Sequence, residues 1–172
     1  LSGLSLAVGV AVARALAACG AAGIRLKWPN DVLFDDAKLG GILVELQTEP
    51  RQSDRRGLQA VIGIGLNLEA PAATPDEPLT WPVAGLIQTM PRLPERHALL
   101  AQLLVELAGV LDDFAANGFR PLRTEWQRHN AWQDCPVRLL RDGEVECEGI
   151  CRGADDDGAL LIETAAGVQR CL

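Results

Sequence analysis

The sequence predicts an α+β fold, a mixed β-sheet with helices packed against it, followed by a small all-β module. Three observations carry this. Residues 4–19 are small and apolar with Gly9 as the breaker. Residues 24–68 alternate polar and apolar between tight turns, and after Cys135 the texture changes to short alternating runs joined by Asp-Gly pairs. Apolar residues make up 48% of the 172-residue chain, ample for a core. The expected division is 1–134 for the larger unit and 135–172 for the smaller.

The first helix, 4–19, ends where Gly20 can serve as its C′ glycine, and its alanine and glycine content lets it lie close to a sheet. Arg25-Leu26-Lys27-Trp28 alternates like a half-buried strand, which Pro29 stops by removing the next ladder donor. Asn30 and Asp31 suit a turn, 32–34 restart an apolar strand, Asp35-Asp36-Ala37 reads as a hairpin turn, and 38–46 give a third strand. Asn30, Asp31 and Lys38 therefore fall at strand ends. Gly40-Gly41 inside a strand marks a bulge, or the close approach of a ligand or another backbone. Taken singly, these pieces also fit solvated edge lysines, a plain turn and a bulge.

The arginine-rich stretch 50–57 suits an exposed turn. In the next strand, 58–68, period two puts Ile62, Ile64, Leu66 and Leu68 on one face and Val61, Gly63, Gly65 and Asn67 on the other. The second face is a flat floor that suits a planar ligand whose phosphates reach Asn67. Gly63-x-Gly65 is no dinucleotide fingerprint, because the third glycine is absent and Glu69-Ala70-Pro71 follows. Pro71, Pro75, Pro78 and Pro82 make 69–82 an irregular loop leading to a short helix near 84–90. A longer helix, from 94 or 95 to 117, carries Leu100, Leu103, Leu104, Leu107, Leu111 and Phe114 at helical spacing, a stripe expected to pack on the sheet. Residues 119–130 read as another helix with Trp126 inward. Beyond Cys135, the Asp142-Gly143 and Asp157-Gly158 turns separate three alternating runs.

A net charge of −7, with no basic cluster beyond Arg51 to Arg56, argues against nucleic acid as the main partner of this chain. Arg14 interrupts the most apolar segment, so no run reaches the roughly 20 residues of a membrane span. That segment lacks the basic flank of a signal peptide, and the absence of an initiator methionine suggests a piece of a longer protein. Five cysteines at irregular spacing fit free thiols in a reducing cytoplasm better than a zinc site.

Lys27-Trp28-Pro29-Asn30-Asp31, followed by Lys38-Leu39-Gly40-Gly41-Ile42-Leu43-Val44-Glu45, resembles the central motif of the biotin protein ligases. The likeness continues through Gly3-Leu4-Ser5-Leu6 upstream and Gly63-Ile64-Gly65-Leu66-Asn67 downstream, in the family's order and spacing. It implies the biotin/lipoate ligase fold, similar to class II synthetases, with an SH3-like C-terminal barrel. Two family parts, the glycine- and arginine-rich loop over the adenylate and the strand with biotin-ring contacts, are expected upstream of Leu1. A family DNA-binding helix-turn-helix would lie there too, and the far end is expected to continue past Leu172.

The resemblance further implies a cytoplasmic enzyme that joins biotin and ATP, with Mg²⁺, into biotinyl-5′-AMP and then biotinylates a biotin carboxyl-carrier protein. Lys38 is the expected catalytic cation and also touches biotin and ATP. Asp31 would orient or deprotonate the incoming amine, Gly41 and Gly65 would let biotin lie on the sheet, and Asn30 and Asn67 would help hold the nucleotide. Lipoate–protein ligases share the architecture but lack the Lys-Trp-Pro-Asn-Asp run followed by Gly-Gly. An inactive piece that only binds ligand is the non-enzymatic alternative. A homodimer stays open, since the sequence does not set the oligomeric state.

Overall fold

The computed structural model describes residues 3–48, 58–70 and 81–172. The arginine-rich turn with Arg51, Arg55 and Arg56, and the prolines Pro71, Pro75 and Pro78, lie outside the described residues. Helix α1 (Leu4–Ala18) is followed by strands β1 (Ile24–Lys27), β2 (Asp31–Phe34), β3 (Ala37–Thr48) and β4 (Leu58–Leu66). Helices α2 (Arg96–Asn117) and α3 (Arg123–His129) come next, then strands β5 (Pro136–Arg141), β6 (Glu144–Ala154), β7 (Leu160–Thr164) and β8 (Gly167–Cys171).

The first sheet has the order β1-β2-β3-β4, every neighbouring pair antiparallel. Among the described residues, parallel pairing enters only as isolated bridges, Leu26 with Asn130 and Lys38 with Val83. Its connections are tight where the sequence asks for it. Asp35 and Asp36 both have positive φ at the β2–β3 turn, a conformation that aspartate tolerates better than most residues. Gly20 takes a φ of 93° after α1, as a C′ glycine should.

Helix α1 is buried on almost every side, from Leu4 through Leu16. One side meets the inner face of the sheet, where Leu26, Val32, Leu39 and Ile42 are buried in the same core. Gly9 faces the sheet at this seat, where a Cβ would just reach contact with the two methyls of Leu26 at 3.4 Å. Ser5 ties the N-terminal turn of the helix to the β1–β2 turn by donating a hydrogen bond to the Pro29 carbonyl at 2.9 Å.

Because α1 occupies the sheet face, α2 packs on α1 and not on the sheet, which corrects the packing expected for it. Its inward residues are Leu99, Val110 and Phe114, with Leu103, Leu107 and Leu111 partly buried, while Leu100 and Leu104 point to solvent. Two apolar stripes run side by side on this helix, and helical spacing alone does not say which one the core takes. Trp126 is buried on α3 and meets Phe119 edge-on, as the sequence suggests, although a 3₁₀ turn (Arg120–Leu122) opens that segment. The segment near 84–90 likewise forms only a 3₁₀ turn (Leu86–Gln88).

The second sheet is an antiparallel meander in the order β5-β6-β7-β8. Asp142 and Gly143, both at positive φ, make the β5–β6 hairpin turn. The sheet is open, with β5 and β8 as its edges, and Arg141 at the end of β5 donates to the carbonyl of Leu172, beyond β8, at 2.9 Å. Its small core of Cys147, Cys151, Leu160, Ile162 and Cys171 is finished by Trp28 and Trp132. Trp28 also packs on the first core and donates its indole N–H to the Gly158 carbonyl at 3.1 Å, so one side chain seals both cores. The five cysteines are free thiols.

Candidate functional site

Asp31 is the hub of the site. Antiparallel register sets it opposite Lys27 across the β1–β2 turn and opposite Gly41 on β3. Between Val32 and Leu33 the β2–β3 register slips, and the extra residue on β3 is Leu39. The bulge turns Leu39 into the core and re-aims Lys38 toward Asp31. Lys38 Nζ lies 2.6 Å from Asp31 Oδ1, and Lys27 Nζ lies 2.8 Å from Oδ2. Each carboxylate oxygen therefore holds one ammonium group.

The Asp31 side chain is 13% exposed and that of Lys38 45%. Burial pushes the Asp31 carboxyl up, but hydrogen bonds from Lys27 and Lys38 more than offset it and hold the group below its ordinary range. Asp31 is thus an ionised anchor for two cations. The sequence reading places Lys27 in the motif but gives it no site role, yet its pairing follows from the hairpin, because only three residues lie between partners that face each other across a short turn.

The two neighbouring glycines have different reasons. A Cβ on Gly40 would stand 2.3 Å from the Gly65 carbonyl oxygen, so Gly40 is demanded by the backbone of β4. A Cβ on Gly41 would meet only Lys38 Nζ at 3.7 Å and Asp31 Oδ1 at 3.8 Å, which is ordinary contact. Gly41 is paired with Gly65, whose own Cβ would have room, and Gly63 is equally open. Packing does not require glycine at 41, 63 or 65. Together with Asn30, Ile42, Leu43 and Ile64 they line an open hollow of about 450 Å³ on the exposed face of the sheet.

Asn30 and Asn67 lie at the ends of this floor, but their amide groups are partly committed. Asn30 Nδ2 donates to the Ile42 carbonyl at 2.8 Å. Asn67 Nδ2 donates to the carbonyls of Lys38 at 3.3 Å and Ala84 at 3.2 Å. The backbone of Lys38 is gripped as well, its N–H donating to Pro82 O at 2.7 Å and its carbonyl accepting from Ala84 N–H at 2.9 Å. The returning segment 82–84 thus fixes the strand position from which Lys38 projects. Lys38, Asp31, Gly41, Gly65, Asn30 and Asn67 all fall in one neighbourhood.

A second hollow, of about 590 Å³, opens on the other side of Lys27 and is lined by Trp28, Trp81, Trp132, Arg138 and Leu160 among others. Lys27 Nζ stands 5.6 Å from the centre of the Trp81 ring, within cation–π range. Trp81 also donates its indole N–H to the Asp36 carbonyl at 3.3 Å. Sequence reasoning missed Trp81, whose only signal was an aromatic residue beside Pro82 at the end of an irregular loop. The arrangement places two cations around one carboxylate, one beside a bare floor and one beside an aromatic hollow. That suits a bound molecule with a planar body and more than one anionic group.

Among the described residues no group of three His, Cys, Asp or Glu could hold a metal ion. No helix of the described residues is long and apolar enough to cross a membrane.

Residues 1–67 match the Biotin/lipoate A/B protein ligase family, and residues 135–171 match the Biotin protein ligase C terminal domain. The chain is 36% identical over 165 residues to the Bifunctional ligase/repressor BirA of Salmonella typhimurium, covering 94% of this chain and 48% of that protein. It is 40% identical over 158 residues to the Biotin--[acetyl-CoA-carboxylase] ligase of Paracoccus denitrificans, covering 88% of this chain and 62% of that one. Among solved structures, the biotin protein ligase from Aquifex aeolicus in complex with biotin and ATP superposes with a TM-score of 0.80 at 25% identity, over 100% of this chain and 68% of that one. The chain thus spans about half to two-thirds of the length of these relatives.

Proposed function

Starting from a chain that belongs to the biotin protein ligase family, we propose that its parent protein joins biotin to ATP and then biotinylates a carrier protein. The carboxylate of biotin attacks the α-phosphorus of ATP, giving biotinyl-5′-AMP and releasing pyrophosphate. The amine of one lysine on a biotin carboxyl-carrier protein then attacks the mixed-anhydride carbonyl. The new amide retains the biotinyl group, AMP leaves, and the amine gives up a proton.

The observation that carries this reading is the pair of lysines on Asp31 at the rim of the Gly41–Gly65 floor. The first step brings an anionic carboxylate against an anionic phosphate, and a fixed cation between them offsets the repulsion and stabilises the charge that develops. Lys38 is placed for that role and for polarising the anhydride carbonyl in the second step. Lys27, on the far oxygen of Asp31, is placed for the outgoing pyrophosphate end. The floor supports the biotin ring system, where any side chain at 41 or 65 would intrude.

Asp31 works as the orienter of both lysines. With both oxygens engaged and its acidity raised by its partners, it is a poor base toward an amine, so the geometry favours orientation over the proton abstraction also considered. Mg²⁺ enters as part of the Mg·ATP substrate, since it is normally held by phosphate oxygens and water with few protein ligands. The Asn30 and Asn67 amide nitrogens bond backbone carbonyls, so contact of either side chain with Mg·ATP runs through Oδ1. A cytoplasmic setting, where ATP and carboxylases meet, fits the free thiols.

The test is biotin-dependent ATP–pyrophosphate exchange by the full-length gene product, with lipoate in place of biotin as the competing substrate. It is paired with a streptavidin blot of a carrier domain. Exchange with biotin and labelling of the carrier support the proposal. Exchange with lipoate alone, or none with either, overturns it.

A further inference from the structure

Trp28 stands between Lys27 and Pro29 in the charged hairpin, and it is the side chain by which that hairpin reaches the second sheet. Its ring packs into both cores, and its indole N–H donates to the Gly158 carbonyl at 3.1 Å. The roles given above to Lys38, Asp31 and the glycine floor make no use of this contact.

The acceptor is built to stay in place. Gly158 closes the turn 155–158 between β6 and β7, which is tied from within. Asp155 Oδ1 accepts from the N–H groups of Asp157 and Ala159, each at 2.9 Å, and the Gly158 N–H donates to the Asp155 carbonyl at 3.1 Å. From outside, Arg123 at the start of α3 donates to Asp156 at 2.9 Å, and Arg170 on β8 pairs with Asp155 and Asp157. The turn then seats on the N-terminus of α1. A Cβ on Gly158, whose φ is 88°, would stand 2.5 Å from Gly3 Cα, and a Cβ on Gly3, whose φ is 78°, would stand 2.9 Å from the Asp157 carbonyl oxygen. Glycine on both sides lets the two backbones meet at a distance that side chains would forbid.

The other tethers of the hairpin lie past Trp28. Ser5 holds the Pro29 carbonyl at 2.9 Å, and the Ile42 N–H holds the Asn30 carbonyl at 2.9 Å. Lys27 comes before them, at the end of β1, and its next anchored side chain is Trp28. The ring therefore sets the backbone direction from which the Lys27 side chain leaves. The glycine floor is fixed separately, by the pairing of β3 with β4.

We infer that Trp28 is a positioning residue, whose hydrogen bond to Gly158 aims Lys27 at the phosphates of ATP. This rests on the role given to Lys27 above.

Calorimetric titration of the full-length gene product with Mg²⁺ and α,β-methylene-ATP, and separately with biotin, tests it. Trp28→Phe keeps an aromatic ring in both cores and removes the N–H donor. It should weaken nucleotide binding about fivefold, the scale of one lost hydrogen bond, and leave biotin affinity within about twofold. Lys27→Ala should weaken nucleotide binding about tenfold or more, as for a charged partner. Adding Trp28→Phe to Lys27→Ala should cost no more than about another twofold, because a residue acting through Lys27 has nothing left to aim. Gly158→Ala, which lifts the turn off Gly3 from outside the site, should repeat the pattern of Trp28→Phe.

Nucleotide affinity untouched by Trp28→Phe, or by a folded Gly158→Ala, overturns the inference. Equal loss of both ligands overturns it in favour of a general structural role, and a loss that adds in full to that of Lys27→Ala overturns it in favour of direct contact. A wild type that binds nucleotide without biotin-dependent pyrophosphate exchange counts against the reaction proposed above, while these affinities still decide the role of Trp28. A wild type that binds no nucleotide overturns both.

Discussion

The two faces of the first sheet are built from the same strands, yet they obey different rules. On the inner face Leu26, Val32, Leu39 and Ile42 are buried against α1, and its one bare strand position among these, Gly40, is closed by the backbone of β4. On the outer face Gly41, Gly63 and Gly65 carry no side chain, and Leu43 stands 60% exposed. Period-two alternation guarantees two faces but not that one be bare. The inner face is selected for packing. The outer face has been emptied at some cost in β-propensity, and the lysine pair on Asp31 stands at its rim.

The sharpest way to separate the faces is to remove the charge. In the full-length gene product, if it carries out the proposed reaction, Lys38→Ala should lower biotinyl-AMP formation by two or more orders of magnitude, about 3 kcal/mol, the scale of losing one charge-stabilising donor. Its thermal melt should move little, because the lysine is half exposed. Pyrophosphate exchange within a few-fold of wild type would make Lys38 a surface lysine.

Gly40→Ala should show the opposite pattern. Its Cβ would press on the Gly65 carbonyl at 2.3 Å, so the strands must part, at about 1–3 kcal/mol of stability as for other overpacking changes. Gly41→Ala, one residue along, should cost less than about 1 kcal/mol. Chemical denaturation of the two variants side by side decides whether these glycines differ as described.

Gly65→Val sharpens the comparison further. The space exists and valine suits a strand, so stability should hold, while the affinity for biotin should fall about tenfold or more. Calorimetric titration beside a thermal melt reads both. Unchanged affinity would mean that the floor is not where the ligand lies.

The smallest effect is in acid. Asp31 titrates below its ordinary value of 3.8 in the folded protein, since its two lysine partners outweigh burial. The stability it contributes is present above the unfolded value and lost as pH falls through the lower, folded one. Asp31→Asn should therefore flatten the loss of stability below about pH 4, and urea midpoints measured from pH 5 down to pH 2.5 would show it. If the variant and wild type lose stability in parallel, the ion pairs do not hold in solution.

What could be read from the sequence follows from how local each feature is. Lys38, Asp31, Gly41 and Gly65 stand in short runs whose spacing is set by hairpins, and register brings them together much as a linear reading suggests. The split between Gly40 and Gly41 was out of reach, because it depends on which carbonyl of β4 lies across the bulge. Trp81 and the commitments of the Asn67 amide depend on a segment that returns over the strand ends from a distance in sequence. For α2, helical spacing assigns Leu100 and Leu104 to the inward stripe, whereas both are exposed, because α1 already occupies the sheet and nothing local to α2 records that. The boundary between residues 134 and 135 stays an expectation.

The cluster of Lys27, Lys38 and Asp31 carries one net positive charge, inside a chain whose formal charge is −7. A polyanion approaching from afar meets the repulsive field of the whole molecule, and it feels the lysines only within a Debye length, about 8–10 Å at physiological salt. Raising ionic strength should then speed arrival, by screening the repulsion, and also speed departure, by weakening the final contact. Measured association and dissociation rates for ATP should both rise with salt, while their ratio changes less than either.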